Sequence, residues 1–147
     1  MRIAVGFDHA GVPFNDVILE TLRQEGHEAV DVGTQDDYPD TALAVSRAID
    51  AGDCERGVVV CGSGAGVAVA ACKLPGIRAA VGHDTYTAAQ CVEHDDCNIL
   101  ALGARVVGPA LAAACLRAFV GASFSGEERH VRRLAKITTM EREGFKT

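Results

Sequence analysis

The chain has 147 residues, of which 48% are hydrophobic and 23% are charged. This composition is that of a soluble globular protein and excludes a disordered or fibrous chain. The length supports one buried core and is too short for two ordinary domains, so we expect a single domain over residues 1–147. The formal net charge of -6 argues against a nucleic-acid partner, because binding a phosphate backbone requires a basic surface.

The sequence carries no pattern typical of exported, membrane or metal-binding proteins. Met1 and Arg2 lead directly into an apolar run without an export signal, and no apolar stretch is long enough to cross a bilayer. We therefore expect a cytoplasmic protein without membrane contact. The six cysteines show no paired short spacing, which predicts free thiols and neither a zinc site nor a thioredoxin-like motif.

Short β-branched runs alternate with longer segments of helical periodicity. This alternation is typical of an α/β fold in which helices cover both faces of a five-stranded parallel sheet. In chain order, we predict a strand at 3–7, a helix at 11–25, a strand at 29–32, a helix capped by Asp40 that ends before Gly52, a strand at 57–60, a helix at 64–74, a strand at 77–81, a helix at 84–92, a strand at 98–102, and helices at 109–120 and 127–143.

Two of the predicted helices carry surfaces that need a partner. The helix at 64–74 is nearly all apolar and rich in Ala and Gly, so its body is expected to pack against another helix or another subunit. The last helix, at 127–143, is charged and has only a thin apolar seam of Val131, Leu134 and Ile137. That pattern is typical of a helix that packs across a partner.

Polar clusters follow the predicted strands at one edge of the sheet. Ligands of open parallel sheets bind beyond the carboxyl ends of the strands, where the loops converge. Residues 8–9, 61–63 and 83–84 follow the first, third and fourth strands, so we expect them at one rim. Tyr38 and residues 94–96 lie in neighbouring loops or helix ends and could reach the same cleft.

Cys61 ends a buried-looking strand and is followed by Gly62, Gly64 and Gly66. Unpaired amides at a helix start favour a negatively charged ligand or a thiolate. The glycine spacing departs from the dinucleotide fingerprint, and no P-loop Lys-Ser/Thr pair follows. The loop alone leaves open a phosphate cradle, a reacting thiol, a nucleotide-binding module, and a structural turn in which Cys61 packs as a small hydrophobe.

The other polar residues of the rim have structural alternatives of their own. Asp8 could cap the helix that follows it and leave His9 as a solvated loop residue. Tyr38 could be a packed turn residue before a proline, and His94 could belong to a charged helix terminus. No one of these residues indicates a function without the others.

Six motifs occur in order along almost the whole chain and are highly specific together. They are residues 6–11 (Gly-Phe-Asp-His-Ala-Gly), 37–40 (Asp-Tyr-Pro-Asp), 61–66 (Cys-Gly-Ser-Gly-Ala-Gly), 73–79 (Lys-Leu-Pro-Gly-Ile-Arg-Ala), 98–106 (Asn-Ile-Leu-Ala-Leu-Gly-Ala-Arg-Val) and 129–133, which opens with Arg-His. By these motifs the chain resembles the ribose-5-phosphate isomerase B family and its galactose-6-phosphate isomerase relatives.

The resemblance implies a Rossmann-like three-layer αβα sandwich with an extra C-terminal helix. It also implies a homodimer with active sites shared between subunits. A tetramer built from such dimers is the alternative assembly. The implied reaction is aldose–ketose isomerisation of a phosphorylated sugar, without a metal or another cofactor.

The resemblance gives three residues catalytic roles. Cys61 would be the base that carries a proton between two carbons through a cis-enediolate, and His94 would open the furanose ring as an acid or base. Ser63 stands where the family has a hydroxyl. Their predicted setting favours this chemistry, because amides at the start of the helix can stabilise oxyanion charge as it develops.

The resemblance also implies a set of substrate-binding residues. The oxygens of the sugar would be held by Asp8, His9, Tyr38, Asp95 and the loop residues Gly62, Gly64, Ala65 and Gly66. The phosphate would bind Arg129 and Arg133, which are four residues apart on one helix face, with His9 and Arg105 as helpers. Arg105 could come from the second subunit. Without the resemblance, this arginine cluster would be a solvated helix face.

Three positions depart from the family pattern. Cys72 stands where the family commonly has asparagine, and Ala65 replaces a branched apolar residue. Asp95 stands where asparagine commonly follows the histidine, which replaces an amide donor by an acceptor-only carboxylate.

We therefore expect isomerisation of ribose 5-phosphate to ribulose 5-phosphate. The alternative substrates are another tetrose, pentose or hexose phosphate. A non-catalytic sugar-phosphate or nucleotide-binding module, or an inactive partner subunit of a hetero-oligomer, is the alternative from a different class.

Overall fold

The computed structural model describes residues 1–146, so Thr147, the last residue of the predicted domain, lies outside them. The five strands are β1 (Arg2–Asp8), β2 (Glu28–Gln35), β3 (Arg56–Cys61), β4 (Ala79–Val81) and β5 (Ile99–Gly103). They pair in parallel in the order β2-β1-β3-β5-β4. This arrangement confirms the predicted five-stranded parallel sheet.

Helices cover both faces of the sheet. They are α1 (Asn15–Gln24), α2 (Tyr38–Asp50), α3 (Ala65–Ala71), α4 (Thr85–Asp95), α5 (Pro109–Gly121) and α6 (Glu128–Glu143), with single 3-10 turns at Val12–Phe14 and Gly144–Lys146. Buried side chains of α1, α4 and α5 pack on one face, and those of α2 and α3 pack on the other. The predicted αβα sandwich with an extra C-terminal helix is confirmed. Among the described residues, no helix has the length and apolar character needed to cross a membrane.

The central strands are buried on both faces, which is why their sequences read as continuous apolar runs. In β3, Val58 and Val60 pack into the core below α1, α4 and α5, whereas Val59 and Cys61 pack into the core on the α2 and α3 side. This alternation sends the Cys61 side chain toward α2 and α3 at the carboxyl end of the strand.

The chain leaves the neighbouring strands β1 and β3 in opposite directions. From β1 it passes through α1 to β2 on one side, and from β3 it passes through α3 toward β4 and β5 on the other. Because α1 and α3 also lie on opposite faces, a crevice opens between the carboxyl ends of β1 and β3. The fold therefore brings the end of β1 and the end of β3 to one ligand-binding position.

Several helix boundaries differ from the prediction. The second helix begins at Tyr38 with Asp37 as its N-cap, so Asp40 lies in the first turn and does not cap the helix. Pro39 explains this start, because proline is favoured in the first turn, where its missing N–H costs nothing. The third helix ends at Ala71, and the chain then tightens into 3-10 turns, with the Leu74 N–H donating to the Ala71 carbonyl.

The remaining elements differ mainly in length. The first helix starts as a 3-10 turn and becomes α-helical at Asn15, and the fourth helix continues to Asp95 before the left-handed Asp96 ends it. The second strand is longer than predicted, with a register irregularity opposite β1. The fourth strand is shorter, because the Arg78 N–H bonds the Asn98 side chain.

Two helices leave apolar surface uncovered within the chain. In α3, Val69 is 63% exposed, although the helix packs against α2. Along α6, His130 is the one buried residue, while Val131 and Ile137 of the predicted seam are exposed. The helix at 64–74 was expected to pack against another helix or another subunit, and it packs against α2 while Val69 faces outward. The last helix, expected to pack across a partner, presents apolar side chains outward.

The first residue of β3 anchors the end of α5. The Arg56 guanidinium donates to the carbonyl oxygens of Phe119 (2.6 Å) and Ala122 (2.8 Å). It also lies 5.3 Å from the centre of the Phe119 ring, within reach of a cation–π contact. These contacts hold the point from which the chain leaves toward α6.

Candidate active site

A cleft of about 370 Å³ opens at the carboxyl ends of β1 and β3. Its lining residues are Asp8, His9, Ala10, Tyr38, Cys61, Gly62, Ser63, Gly66, Arg105 and Val106. All of these were predicted as site residues except Ala10 and Val106. Both omitted residues directly follow predicted ones in the chain, so their position beside His9 and Arg105 is the sequence feature that could have identified them.

Asp8 organises the turn that follows β1. Its buried carboxylate accepts the backbone N–H groups of Ala10 and Gly11 through Oδ1, each at 2.9 Å. Asp8 therefore fills the structural role considered for it, and it also lines the cleft.

His9 is held at the mouth of the cleft by the loop before α2. Its Nδ1 lies 3.1 Å from the carbonyl oxygen of Asp36. A carbonyl oxygen can only accept, so the proton of this hydrogen bond belongs to Nδ1. The other ring nitrogen, Nε2, is then the atom that His9 can present to a ligand.

Cys61 is 5% exposed at the end of β3, and its Sγ accepts the backbone N–H of Gly64 at 3.1 Å. Gly64 has φ 80°, a left-handed conformation that glycine adopts without steric cost. This backbone contact fixes the sulfur at the cleft, where it can act on a ligand. The loop after β3 thus holds a cysteine in a setting suited to a base.

Ser63 lies in the same loop, and its Oγ accepts the Ala65 N–H at 3.2 Å. The amides of Gly64 and Ala65, which were expected to face substrate oxygens, are therefore directed at side chains of their own loop. Neither residue lines the cleft, whereas Gly62 and Gly66 do. The Ser63 hydroxyl proton is still available for a ligand.

Tyr38 and Arg105 border the loop. A Cβ on Gly66 would lie 3.0 Å from Cε2 of Tyr38, so the tyrosine ring packs directly over this glycine. A Cβ on Gly62 would lie 3.3 Å from Nη1 of Arg105. Arg105 consequently lies at the cleft of its own chain.

The remaining predicted residues form a second group outside this cleft. His94 and Asp95 lie in the last turn of α4, and Arg129 and Arg133 lie near the start of α6. Asp95 lines a different cavity, of about 590 Å³, between the segment after α3 and helix α6. The described chain therefore does not bring this group to the Cys61 cleft.

His94 is joined to α6 by a ring contact. Its imidazole stacks on that of His130, with ring centres 4.1 Å apart and planes 26° apart. His130 is 1% exposed, and burial together with the nearby His94 and Arg129 lowers its pKa. His130 had no predicted role, because its charged neighbours in the sequence give no sign that this one side chain is buried.

His83 was expected at the rim but does not line the cleft. Its Nε2 accepts the backbone N–H of Gly103 at 2.8 Å, which ties the start of α4 to the end of β5. Burial lowers the pKa of His83, which favours the neutral ring that this bond requires. Asp84 caps α4 by accepting the Thr87 N–H at 2.7 Å.

The cysteines are free thiols, and two of them, Cys91 and Cys97, hydrogen-bond to each other. All six cysteines are unpaired by disulfides. Within residues 1–146, no group of three or more His, Cys, Asp or Glu side chains is arranged to hold a metal ion.

The sequence and fold match known proteins over nearly the whole chain. Residues 3–137 match the family model described as Ribose/Galactose Isomerase. Ribose-5-phosphate isomerase B of Escherichia coli is 40% identical, covering 95% of this chain and 96% of the relative. D-erythrulose-4-phosphate isomerase of Pectobacterium atrosepticum is 38% identical, covering 86% of each.

The same relation is found among solved structures. Ribose-5-phosphate isomerase B of Clostridium thermocellum superposes with a TM-score of 0.92 at 44% identity, covering 97% of this chain and 98% of that one. The fold and the sequence therefore lead to one family, as the motifs predicted. The chain belongs to the ribose/galactose isomerase family and is a sugar-phosphate isomerase.

Proposed function

We propose that the protein interconverts ribose 5-phosphate and ribulose 5-phosphate, with Cys61 as the base. The observation that carries the proposal is the Cys61 sulfur at the cleft, accepting the Gly64 N–H beside the Ser63 hydroxyl. The names of the E. coli and C. thermocellum relatives support the choice of sugar.

Ring opening is the first step for ribose 5-phosphate, whose carbonyl carbon is masked in a furanose. His94 donates a proton to the ring oxygen while the bond between C1 and that oxygen breaks. The C1 hydroxyl passes its proton to a base of the site, and the electron pair of that O–H bond forms the C1 carbonyl. An imidazole suits this exchange because its ordinary pKa is close to neutral pH.

Proton transfer between the two carbons follows in the open-chain sugar. The Cys61 thiolate takes the proton from C2, and the electron pair forms a cis-enediolate with its charge on O1. A proton moves from O2 to O1, the thiol returns its proton to C1, and the ketone forms at C2. In this proposal the enediolate oxygens accept hydrogen bonds from the Ser63 hydroxyl and from the amides of Gly62 and Gly66, residues that line the cleft.

The phosphate and ring-opening groups come from a second copy of the chain in this proposal. His94, Arg129 and Arg133 do not line their own Cys61 cleft, whereas His9 and Arg105 do. The exposed apolar residues of α3 and α6 support pairing between copies. In a homodimer with shared sites, Arg129 and Arg133 of one copy would join His9 and Arg105 of the other around the phosphate.

Four further expectations belong to the same proposal. Residues 1–147 act as one isomerase domain, and the reaction uses no cofactor. Assembly of dimers into tetramers and location in the cytoplasm stay predictions.

A different sugar phosphate is the alternative substrate. It is favoured by Asp95, which stands in place of the family's asparagine, and by the relative named D-erythrulose-4-phosphate isomerase. Rates on a panel of tetrose, pentose and hexose phosphates decide between them. The proposal requires the largest kcat/KM on ribose 5-phosphate.

The role of Cys61 is tested by Cys61→Ala, which should lower isomerisation by at least about a hundredfold because the base is removed. Cys72→Ala is the matched control, since Cys72 lies outside the cleft and should leave the rate unchanged. Full activity of a folded Cys61→Ala protein would contradict the assignment. Incorporation of solvent deuterium into the sugar by the wild type would exclude a pure binding module.

A further inference from the structure

We propose that His130 is a positioning residue that holds the His94 imidazole in its ring-opening orientation, through a closed set of contacts linking α4 to the start of α6. This inference rests on the proposed role of His94. His130 itself is not assigned a contact with the sugar.

The first observation is the placement of His130. It is 1% exposed on a helix whose other residues are half-buried or exposed, so this imidazole is the main buried anchor of α6 in the described chain. Its ring lies against that of His94 at 4.1 Å, in a stacked geometry. The stack limits rotation of the His94 ring, which is only half-buried and lies at the end of a helix.

The second observation is how His130 is itself held. Its Nδ1 lies 2.6 Å from Oγ of Ser125, and that oxygen also accepts the Glu127 N–H at 3.2 Å. The backbone N–H of Ser125 donates to the carbonyl oxygen of Glu93 at 3.0 Å. The contacts therefore run from His94 through His130 and Ser125 back to Glu93, the residue that precedes His94.

The third observation concerns charge. Burial, His94, Arg129 and Arg133 lower the pKa of His130, against an opposing effect of Glu127. The ring is therefore neutral at neutral pH, and the Ser125 hydroxyl can donate to its Nδ1. A neutral neighbour lets His94 gain and release a proton without a second positive charge stacked on it.

A ring-opening defect has a kinetic signature that general damage lacks. Spontaneous opening in solution supplies open-chain ribose 5-phosphate at a rate that does not depend on the enzyme. An enzyme that has lost ring opening can use only this supply, so its rate levels off as enzyme is added. An enzyme that is merely less well folded keeps a rate proportional to its concentration.

The test uses His130→Ala, which removes the stack, and Ser125→Ala, which removes the hydrogen bond and keeps the ring. We measure ribulose 5-phosphate formation from ribose 5-phosphate over a wide range of enzyme concentrations. For both variants, the rate plotted against enzyme concentration should have an initial slope about tenfold or more below that of the wild type. At high enzyme concentration the rate of each variant should reach a plateau, which the wild-type rate does not reach. His130→Phe keeps an aromatic ring for stacking and should recover part of the slope.

Arg132→Ala is the matched control, because Arg132 is an exposed neighbour on α6 that pairs with the exposed Glu128 at 3.7 Å. The rate of this control variant should stay proportional to enzyme concentration, with the wild-type slope. A reduced but linear rate in His130→Ala and Ser125→Ala, or an unchanged rate, overturns the positioning role. If His130→Ala fails to fold, Ser125→Ala alone decides the question by the same criterion.

Failure of the proposed function looks different. If the wild type does not isomerise ribose 5-phosphate, the proposed substrate is wrong. If the rate of His94→Ala stays proportional to enzyme concentration, the ring-opening role of His94 is wrong, whatever the His130 variants show. If the rate of His94→Ala reaches a plateau while the rate of His130→Ala stays proportional to enzyme concentration, the proposed function is retained and the positioning role of His130 is rejected.

Discussion

Gly66, at the start of α3, lies in close contact with the first residue of α2. The Tyr38 ring lies where a side chain on residue 66 would be, at 3.0 to 3.1 Å from a built Cβ. Real Cβ atoms rarely approach neighbours so closely, so any side chain here moves the ring. The glycine thus sets the position of Tyr38 in the cleft.

Gly66→Ala should lower kcat/KM by about tenfold, because the new methyl group displaces the Tyr38 ring from the substrate. The melting temperature should change little, since Tyr38 is 45% exposed and its ring can turn outward into solvent. Steady-state kinetics and thermal unfolding of the same preparation measure the two effects.

Gly121→Ala is the control for this substitution, since a Cβ there meets nothing within 4 Å and α5 ends at this residue. It should leave kcat/KM unchanged. Wild-type kinetics in Gly66→Ala would mean that Tyr38 does not contribute to substrate binding.

The residues that could be predicted are those placed by the sheet itself. Asp8 and Cys61 were expected together because parallel strands end at one edge, and the structure brings both to one cleft. His94 and Arg129 were assigned by resemblance only, and their own chain leaves them elsewhere. A sequence does not state which copy of a chain supplies a residue, and it does not reveal a buried His130 among charged neighbours.

At the level of elements, strands were predicted more accurately than helix ends. β1 and β3 were placed to within a residue because burial on both faces makes their sequences continuously apolar. The start of α2 was misplaced because Asp40 is a favoured cap, whereas Pro39 moves the start forward to Tyr38. Two residues that both favour a helix start thus stood next to each other, and the residue pattern did not decide between them.

Val69→Asp tests whether α3 packs against a second copy. Val69 is 63% exposed on an apolar helix, and a carboxylate at a buried interface would be desolvated without a partner. We expect dimer dissociation to be favoured by about tenfold or more, with loss of activity and unchanged helix content. Sedimentation, circular dichroism and the isomerase assay measure these three properties.

Leu111→Asp is the control on the opposite layer, since Leu111 is an exposed apolar residue of α5. It should leave the oligomer intact. An active, dimeric Val69→Asp protein would show that α3 is not an interface.

For the whole molecule, the proposed sharing of active sites between two copies should make two inactive variants complementary. Cys61→Ala and His94→Ala are mixed under conditions that exchange subunits. Each mixed dimer then contains one site with both residues intact, and statistical pairing gives roughly a quarter of wild-type activity. Activity is measured before and after exchange, and an absence of recovery would place both residues in one copy's site.

Protonation of histidines should make the whole fold less stable in mild acid. Burial lowers the pKa of His27, His83 and His130 below the ordinary value of 6.5. The unfolded chain therefore binds more protons than the native one below about pH 6.5, so the free energy of unfolding falls as pH drops through this range. Urea unfolding at about pH 7.5 and about pH 5.5, at one protein concentration, measures the difference.

His83→Gln should make this difference smaller, because a glutamine carbonyl can accept the Gly103 N–H and does not titrate. Equal unfolding free energies of the wild type at the two pH values would contradict the prediction. The prediction would also be contradicted if the difference in unfolding free energy between the two pH values were the same in His83→Gln as in the wild type. His83 would then not contribute to the pH dependence.

The two ends of β3 fix the relative position of two distant parts of the molecule. Arg56 at the first position holds the chain as it departs for α6, and Cys61 at the last position is the proposed base. A strand of six residues spans roughly 17 Å and is among the stiffest units of a protein. Small displacements of β3 therefore move the Cys61 thiol and the segment that leads to α6 together. Their relative position is preserved when the sheet moves.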